Sequence, residues 1–390
     1  MALNVLYLHA SADLYGSDLL LYEIVSNLDS TKYSPRVILP DEGPLVALLS
    51  KNNIPVGIKK LPVLRRKYFT LAGVSKFSMT FLCSTITLIS TIKKCNIHLI
   101  HTNTSAVWGG GIAARLCRIP HVSSVMELVE EPLFVAKAMS LMATLFSDKV
   151  VAVSEAVKNH FIKLVGFGKH KYEVIPTPVN EKKYRFSESG RKSVRLELGI
   201  DDKVVVVGMA ARLNRWKGQD VFVQACANVI NEIGQKKRVH FIIMGEPLPG
   251  QEYFKEEMLK AIENLGLSSC TTVPGYKTNF VDWLSAMDVY VLPSKWPEPN
   301  SSGVIAAMAV GLPVIGTNIG GTPEVVIHEQ TGLLVPPDDP EAMAKAMLRL
   351  IENHDERKRM GNEAKKRAMK LYSLTSYIKR IESIYDSLID

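Results

Sequence analysis

Acidic, polar and glycine residues follow one another at a predicted strand end in the second half of the chain, where they could bind a phosphate. Glu298 and a polar turn at residues 300–302 lie between an apolar segment at 289–292 and a small-residue helix predicted from Gly303. A helix that opens with Ser and Gly has exposed N–H groups and the positive end of its dipole there, which favours an anion. Glu298 is expected beside that anion.

Two further segments predict walls for the same site. A predicted strand at 313–316 leads into Gly320 and Gly321, and glycines let the backbone approach a ligand closely. Arg212 and Lys217 follow the first predicted strand of the second half, five positions apart. A guanidinium and an ammonium can both bind a phosphate anion.

Five ordered stretches of this region resemble glycosyltransferase family 4, a family of retaining, nucleotide-sugar-dependent enzymes with the GT-B fold. They are residues 211–218 for GRLxxxKG, 293–298 at the place of PSxxE, 307–315 for AMAxGxPVI, 320–326 for GGxPEVV and 331–339 for TGLLVPPDD. The resemblance implies an α/β protein with two facing Rossmann-like domains, parallel sheets and an active site in the cleft between them.

The resemblance also implies roles for individual residues. The predicted catalytic residues are Glu298, Arg212 and Lys217. The predicted donor-binding residues are Gly16, Gly275, Tyr276, Asn300, Ser301, Ser302 and Gly303. The predicted acceptor-side residues are Ser17, Asp18, His101, Asn103 and Glu127. Plainer interpretations stay open: Glu298 as a helix cap, residues 15–18 as a simple strand-to-helix turn, and His101 as a satisfied strand-end histidine.

Two positions depart from the family pattern. The family has a second glutamate eight positions after the first, and Ala306 stands there in this chain. In relatives that glutamate holds the ribose hydroxyls, so its loss is expected to cost roughly 1.5–3 kcal/mol, or about ten- to a hundredfold in affinity. Met126 and Glu127 stand where many relatives have a histidine. These departures motivate an alternative, a degenerate protein that binds a glycan or a partner without turnover.

A third hypothesis is a dinucleotide-dependent oxidoreductase. Residues 109–114 fit GxGxxA after a predicted strand at 99–102. The signal is weak because the strand is a middle one and no ribose-binding acid follows on the next strand.

Length and composition predict a folded protein of two domains. The chain has 390 residues, of which 47% are hydrophobic and 22% charged. The predicted divisions are 1–178 for an acceptor-binding domain, 179–370 for a nucleotide-sugar-binding domain and 371–390 for a helix that crosses back. Five scattered cysteines without a CxxC pair argue against disulfides and structural zinc, and predict reduced thiols in the cytoplasm.

Apolar strands alternate with helical segments, which is typical of parallel sheets covered by helices on both faces. The predicted strands are 4–9, 36–39, 99–102, 121–124 and 149–153 in the first domain, and 204–209, 240–244, 271–274, 289–292 and 314–316 in the second. The apolar segment 77–92 contains Ser and Thr, which favours a packed amphipathic helix over a membrane span.

Positive charge is concentrated in the first half of the chain. Residues 1–180 hold 19 Lys and Arg against 12 Asp and Glu, and no acid occurs between Glu42 and Glu127. A surface without acids attracts anionic lipid head groups or a pyrophosphate-bearing acceptor. A solvated basic surface without a partner is the plainer interpretation. Nucleic-acid binding is the competing hypothesis, but no recognised motif in the sequence supports it.

These features predict a metal-independent enzyme that needs no cofactor beyond its nucleotide-sugar donor. It is expected at the inner face of the cell membrane, where it would extend a lipid-pyrophosphate-linked glycan of a bacterial surface polysaccharide such as lipopolysaccharide, O-antigen or capsule. The acidic pairs at 201–202 and 338–339 lie in polar turns and form no DxD beside the phosphate motifs.

Overall fold

The computed structural model describes residues 2–65, 68–234 and 239–389. Arg66 and Lys67, which belong to the 19 Lys and Arg counted in residues 1–180, lie outside the described residues. The chain divides into two compact units. Unit 1 comprises Met1–Thr177 with Leu374–Asp390, and unit 2 comprises Pro178–Ser373.

Unit 1 is built on a seven-stranded parallel sheet in the order β3-β2-β1-β4-β5-β6-β7. The strands are β1 (Leu3–Leu8), β2 (Tyr33–Leu39), β3 (Val56–Ile58), β4 (Leu99–Thr102), β5 (His121–Val125), β6 (Lys149–Ala152) and β7 (Tyr172–Val174). The helices are α1 (Gly16–Asn27), α2 (Pro44–Lys51), α3 (Leu71–Lys94), α4 (Gly110–Cys117), α5 (Leu133–Phe146) and α6 (Glu155–Val165). Residues 5–8 of the central strand are fully buried, as an apolar run covered on both faces should be.

The register of β1 and β4 determines which loops meet at the carboxyl edge of this sheet. Tyr7 pairs with His101 and Leu8 with Thr102, so the two strands end side by side. The segments that follow them carry Ser17, Asp18 and Asn103, three of the predicted acceptor-side residues. Ligands of parallel sheets bind at this edge.

The C-terminal helix α15 (Leu374–Ile389) belongs to unit 1. Its apolar side, which includes Ile381 and Ile384, is buried in the same core as β1 and α1. Tyr385 reaches the sheet itself, because its hydroxyl lies 2.6 Å from the hydroxyl of Tyr7. The end of the chain is therefore part of the first unit's core.

Unit 2 is built on a six-stranded parallel sheet in the order β10-β9-β8-β11-β12-β13. The strands are β8 (Val205–Ala210), β9 (Val239–Met244), β10 (Thr271–Gly275), β11 (Val289–Leu292), β12 (Val314–Thr317) and β13 (Gly332–Val335). The helices are α7 (Glu188–Glu197), α8 (Gln219–Ile233), α9 (Tyr253–Asn264), α10 (Phe280–Ala286), α11 (Ser302–Val310), α12 (Thr322–Val325), α13 (Pro340–Glu352) and α14 (His354–Leu371).

Small residues allow α11 to lie deep inside unit 2. Every residue of this helix from Val304 to Val310 is buried. The following turn packs so closely on α14 that a Cβ atom on Gly361 would lie 2.2 Å from the carbonyl oxygen of Gly311. The helix that opens the predicted phosphate site is thus held rigidly by the core.

One helix exposes more apolar surface than expected. The segment predicted as a packed amphipathic helix extends to Leu71–Lys94, but none of the described side chains of residues 72–83 is buried. This helix is long and apolar enough to cross a membrane by length and composition. Phe77 packs on the rings of Tyr68 and Trp108, and Leu88 and Ile92 are buried in the core, so one side of the helix is packed as predicted. The other side leaves large apolar side chains exposed, which the sequence did not predict.

Candidate functional site

The predicted catalytic residues Lys217 and Glu298 form an ion pair in unit 2. The Lys217 ammonium lies 2.7 and 2.8 Å from the two carboxylate oxygens of Glu298. The hydroxyl of Ser294 donates to the same carboxylate at 2.5 Å. Glu298 is buried, so its charge is kept in a largely desolvated position where the ammonium balances it.

Local turns bring these two residues together. Lys217 ends a short turn after β8, and the Asn214 side chain caps that turn by accepting from the Lys217 N–H at 3.1 Å. Gly218 then adopts a left-handed backbone with φ of 71°. A Cβ atom there would lie 1.9 Å from the carbonyl oxygen of Pro293, so glycine lets the two loops touch.

The two glycines after β12 support Glu298 from the other side. The Gly321 N–H donates to the Glu298 carbonyl at 2.7 Å. A Cβ atom on Gly320 would lie 2.6 Å from the backbone nitrogen of Glu298, and Gly320 has φ of 61°. The backbone of Gly320 and Gly321 was predicted to approach a ligand. In the structure it contacts the loop that carries Glu298 and holds that loop in place.

The N-terminus of α11 is the predicted phosphate position. Ser301 caps the helix by accepting from the Val304 N–H at 3.4 Å, while Ser302 is exposed. A Cβ atom on Gly303 would lie 2.6 Å from the Tyr290 hydroxyl, which itself donates to the Ala210 carbonyl at 2.9 Å. Burial raises the pKa of Tyr290, so it remains a neutral donor. The helix start therefore packs against β11 and lies near the end of β8.

The remaining donor-side predictions lie around this edge of the sheet. Arg212 is exposed, and its carbonyl accepts from the Gln219 side chain at 3.0 Å. Asn300 is half-buried in the turn before α11. Gly275 ends β10 with φ of 76°, and its carbonyl accepts from the Gly245 N–H at 3.1 Å. Tyr276 is 70% exposed. Their contacts with a donor stay predictions.

The position of the missing glutamate is closed. Ala306 is buried in the core of unit 2, one and a half turns into α11. A methyl group there supplies no hydrogen bond. The carboxylate contact that relatives make with ribose is absent from this chain at that position.

Sequence reasoning missed an aromatic pair beside the ion pair. The rings of Trp216 and Trp296 stack with centroids 5.8 Å apart and an interplanar angle of 26°. Trp216 precedes Lys217 in the chain, and Trp296 lies two positions before Glu298. The two side chains are 41% and 56% exposed. The Lys295 N–H donates to the Trp216 carbonyl at 2.8 Å and fixes the two loops to each other. Their separation of 80 residues hides this contact from local patterns.

In unit 1, Asp18 is buried and fully engaged. Its carboxylate accepts from His9 Nε2 at 2.6 Å, from the Ser11 hydroxyl and from the Tyr15 N–H at 2.8 Å. Burial acts to raise the pKa of Asp18, but the hydrogen bonds from His9 and Ser11 outweigh it and lower that pKa. Asp18 therefore holds the turn before α1, and its predicted contact with the acceptor stays a prediction. His9 and Ser11 were not predicted.

That turn leaves its own residues accessible. Gly16 has no atom within 4 Å of the place of a Cβ, and Ser17 is half-buried. The Asn103 side chain lies behind the turn, with its Nδ2 3.3 Å from His9 Nδ1. The structure therefore brings the predicted residues after β1 and β4 close together.

His101 is a satisfied strand-end histidine. Its Nδ1 lies 2.5 Å from the Tyr385 hydroxyl and its Nε2 lies 2.7 Å from the Ser124 hydroxyl. Burial lowers the pKa of His101 to about 3, so the ring is neutral. With no exposed surface, His101 does not reach an acceptor in this structure, and the plainer of its two interpretations holds.

Glu127 is half-buried after β5. Its Oε2 accepts from the Ser105 hydroxyl at 2.6 Å and from the Met126 N–H at 3.0 Å. Both contacts involve Oε2 and not Oε1. A role toward the acceptor stays a prediction.

The glycines that suggested a dinucleotide site have a packing role. A Cβ atom on Gly110 would lie 2.6 Å from Thr102 Oγ1, and one on Gly111 would lie 2.6 Å from the Phe146 carbonyl oxygen. These glycines let α4 approach the sheet and α5. Protein atoms fill the space beside Gly110 and Gly111 that a dinucleotide would have to occupy.

Two family models match the chain. The model described as "Glycosyltransferase Family 4" matches residues 16–183, and "Glycosyl transferases group 1" matches residues 191–367. Among curated relatives, a D-inositol 3-phosphate glycosyltransferase of Corynebacterium urealyticum is 32% identical over 57% of this chain and 53% of its own. The lipopolysaccharide core mannosyltransferase LpsB of Rhizobium meliloti is 28% identical over 49% of this chain and 54% of its own. The chain thus spans about half the length of these relatives.

Solved structures share the fold over nearly the whole chain. HepE of Anabaena, determined with UDP, has a TM-score of 0.85 at 24% identity, covering 99% of this chain and 100% of its own. WaaG, a glycosyltransferase involved in lipopolysaccharide biosynthesis, has a TM-score of 0.71 at 14% identity, covering 97% and 99%. The family models and these neighbours agree with the two parallel-sheet units. The chain belongs to glycosyltransferase family 4 and has the GT-B fold.

Proposed function

We propose that this glycosyltransferase moves a hexose, with retention of configuration, from a nucleotide diphosphate sugar to a glycan acceptor. The observation that carries the proposal is the ion pair between Lys217 and the buried Glu298, which lies shortly before the N-terminus of α11 in the chain. By the family match, we expect the Lys217 ammonium to contact the diphosphate and the Glu298 carboxylate to contact the sugar. HepE was determined with UDP-glucose, which supports a nucleotide-sugar donor.

In the proposed reaction, the acceptor hydroxyl attacks the anomeric carbon on the face that the diphosphate leaves. The new glycosidic bond forms as the bond from that carbon to the diphosphate oxygen breaks, and a phosphate oxygen takes the hydroxyl proton. Arg212, Lys217 and the N–H groups at the start of α11 stabilise the growing charge on the diphosphate. Glu298 contacts sugar hydroxyls or the positive charge that develops near the anomeric carbon.

The positive groups of this site support metal-independent transfer. Two basic side chains and a helix N-terminus supply the charge that a divalent cation supplies in other sites. We propose that no cofactor is needed beyond the donor itself. Comparing initial rates in excess EDTA and in added Mg²⁺ tests this, and a rate that depends on the metal would reject it.

The acceptor is proposed to be a lipid-pyrophosphate-linked glycan of a bacterial surface polysaccharide, reached from the inner face of the cell membrane. The excess of Lys and Arg over Asp and Glu in residues 1–180 supports contact with anionic lipid. The names of LpsB and WaaG, which refer to lipopolysaccharide synthesis, support this acceptor class.

The two alternatives are less well supported. A degenerate binding protein is motivated by Ala306, but the Lys217–Glu298 pair and its glycine supports are all present. A dinucleotide oxidoreductase is disfavoured because the relevant glycines pack against protein atoms.

The test is transfer by the purified full chain. Nucleotide sugars are incubated with lipid extract as acceptor, and the anomeric configuration of the product is read by NMR from its one-bond coupling. Product with the donor's anomeric configuration supports the proposal, and an inverted product would reject the retaining mechanism. Donor turnover equal in wild type and Glu298→Gln would reject the proposed site.

A further inference from the structure

Helix α3 carries an exposed apolar stripe. Met79, Leu82 and Ile86 are 68%, 64% and 68% exposed, and their spacing of three and four residues puts them on one side of the helix. Large apolar side chains are usually buried, and a contiguous group of exposed ones marks an interaction surface.

The same helix is anchored to unit 1 by its opposite side. Leu88 and Ile92 are buried in the core beneath it, together with Ser84, Thr85 and Thr91. The Lys59 ammonium also donates to the Thr91 hydroxyl at 2.6 Å. A helix held in this way cannot leave the domain to cross a membrane without breaking the core. Its apolar stripe is therefore presented along the surface of the unit.

Large apolar residues are also exposed on the next two helices. Leu116 of α4 and Phe134 of α5 are exposed, and the rings of Phe134 and Phe69 meet edge to face with centroids 5.8 Å apart. The start of α4 lies against both neighbours, because a Cβ atom on Gly109 would be 3.9 Å from Leu88 and one on Gly111 would be 2.7 Å from the Phe146 Cβ.

Basic residues lie on the same side as the stripe. Lys76 comes one turn before Met79, and Lys93 comes two turns after Ile86, so both lie on the same side of the helix as the stripe. Both lysines are exposed. No acidic residue occurs between Glu42 and Glu127, and the next acids along the chain are Glu130 and Glu131 before α5. We call Lys76, Met79, Leu82, Ile86 and Lys93 the α3 face.

We propose that the α3 face is a docking surface for an anionic lipid bilayer, with α3 lying in the plane of the interface. Apolar side chains enter the boundary between head groups and acyl chains, while the lysines stay among the anionic head groups. The positive charge of this segment, whose sequence contains no acid, selects a bilayer over an uncharged apolar partner. This inference deepens the proposed function, since it names the element that would hold the enzyme at a lipid-linked acceptor.

Flotation with lipid vesicles tests the proposal without any substrate. The full chain is mixed with vesicles of phosphatidylcholine alone or with 30% phosphatidylglycerol. We expect binding to the anionic vesicles that weakens with salt. The variant Met79→Ser/Leu82→Ser/Ile86→Ser should bind at least about tenfold more weakly. The variant Lys76→Glu/Lys93→Glu should lose the preference for phosphatidylglycerol.

A matched control removes exposed apolar groups elsewhere. Leu196 and Leu371 are exposed on unit 2, and Leu196→Ser/Leu371→Ser should bind vesicles like wild type. Circular dichroism checks that each variant is folded. Equal vesicle binding by wild type and the triple serine variant would overturn the proposal. So would a dimer of wild type in sedimentation velocity that the triple variant abolishes, because the face would then join two copies.

A cysteine within the stripe reports insertion directly. Cys83 is exposed and lies one turn after Met79. An environment-sensitive fluorophore on Cys83 should shift to the blue on anionic vesicles, and Cys83→Ser serves as the control for labelling elsewhere. An unshifted label on vesicle-bound protein would overturn insertion of this face. Calorimetry with the donor separates the two proposals: the triple serine variant should bind the donor like wild type, and failure of all proteins to bind donor would affect only the proposed function.

Discussion

Lys217 and Glu298 stand 81 positions apart in the chain, yet the ammonium of one lies within 2.8 Å of both carboxylate oxygens of the other. Three supports converge on this contact: the cap by Asn214, the left-handed Gly218 and the backbone of Gly320. A buried charge with such support is costly to leave unpaired. The pair therefore links the stability of unit 2 to the chemistry proposed for it.

Separating these two contributions needs single and double variants. Lys217→Met leaves the Glu298 carboxylate buried and unpaired, so we expect unfolding free energy to fall by roughly 3 kcal/mol. Lys217→Met/Glu298→Gln removes both charges and should recover most of that stability. Both variants should lose transfer by roughly 10²- to 10³-fold, because the diphosphate loses a cation. Urea unfolding and initial rates give the two quantities. Restored transfer in the double variant would show that the pair is only structural.

The two glycines Gly320 and Gly250 form a matched test of the Glu298 loop. Both have a left-handed backbone, but a Cβ atom on Gly250 would meet nothing within 4 Å. Gly250→Ala should cost about 1 kcal/mol from backbone strain alone. Gly320→Ala adds a clash with the Glu298 backbone and should cost more, with weaker nucleotide binding. Equal costs with unchanged nucleotide affinity would mean that the loop tolerates displacement.

Restoring the family's second glutamate should strengthen nucleotide binding. Ala306→Glu is expected to tighten the dissociation constant about ten- to a hundredfold, measured by calorimetry with the preferred nucleotide. Ala306→Met adds volume without charge and serves as the control. Because Ala306 is buried, both variants need a thermal melt. If the two variants lose stability alike and neither tightens binding, this position faces only the core.

The buried histidines of unit 1 make stability depend on pH. Burial lowers the pKa of His101 to about 3 and that of His121 to about 4. In the unfolded chain each titrates near its ordinary value of about 6.5. Between these values the unfolded state binds more protons, so stability is full above pH 6.5 and falls as pH decreases. Each histidine should contribute up to about 1.4 kcal/mol per pH unit.

Urea unfolding from pH 7 to pH 4.5 measures this dependence. His101→Gln should reduce the slope, because it removes one of the two buried histidines. A slope that is the same in wild type and His101→Gln would contradict neutral burial of His101.

Much of the fold could be predicted from the sequence because the central strands are contiguous apolar runs. The run at 289–292 appears as β11 with the predicted bounds. The short edge strands β3, β7 and β13 were missed, since strands of three or four residues carry little periodic signal. The α3 helix was placed, but apolar sequence alone does not show which side finds a packing partner.

The sequence predicted the site residues that belong to family motifs. It did not predict contacts between residues far apart in the chain that belong to no motif. Glu298 and Lys217 were assigned through the family resemblance, and the structure brings them into contact. The bond between His9 and Asp18 and the stack of Trp216 on Trp296 depend on strand order and loop geometry, which local spacing does not contain.

Calorimetric titration of the purified chain with UDP, GDP and their common sugar conjugates, without metal, tests the central claim most directly. A working donor site predicts binding of one base at micromolar to low-millimolar levels, and weaker binding by Lys217→Met. Absence of heat with every nucleotide, from protein shown to be folded, would contradict the donor site and support a protein that binds glycan or partner without turnover.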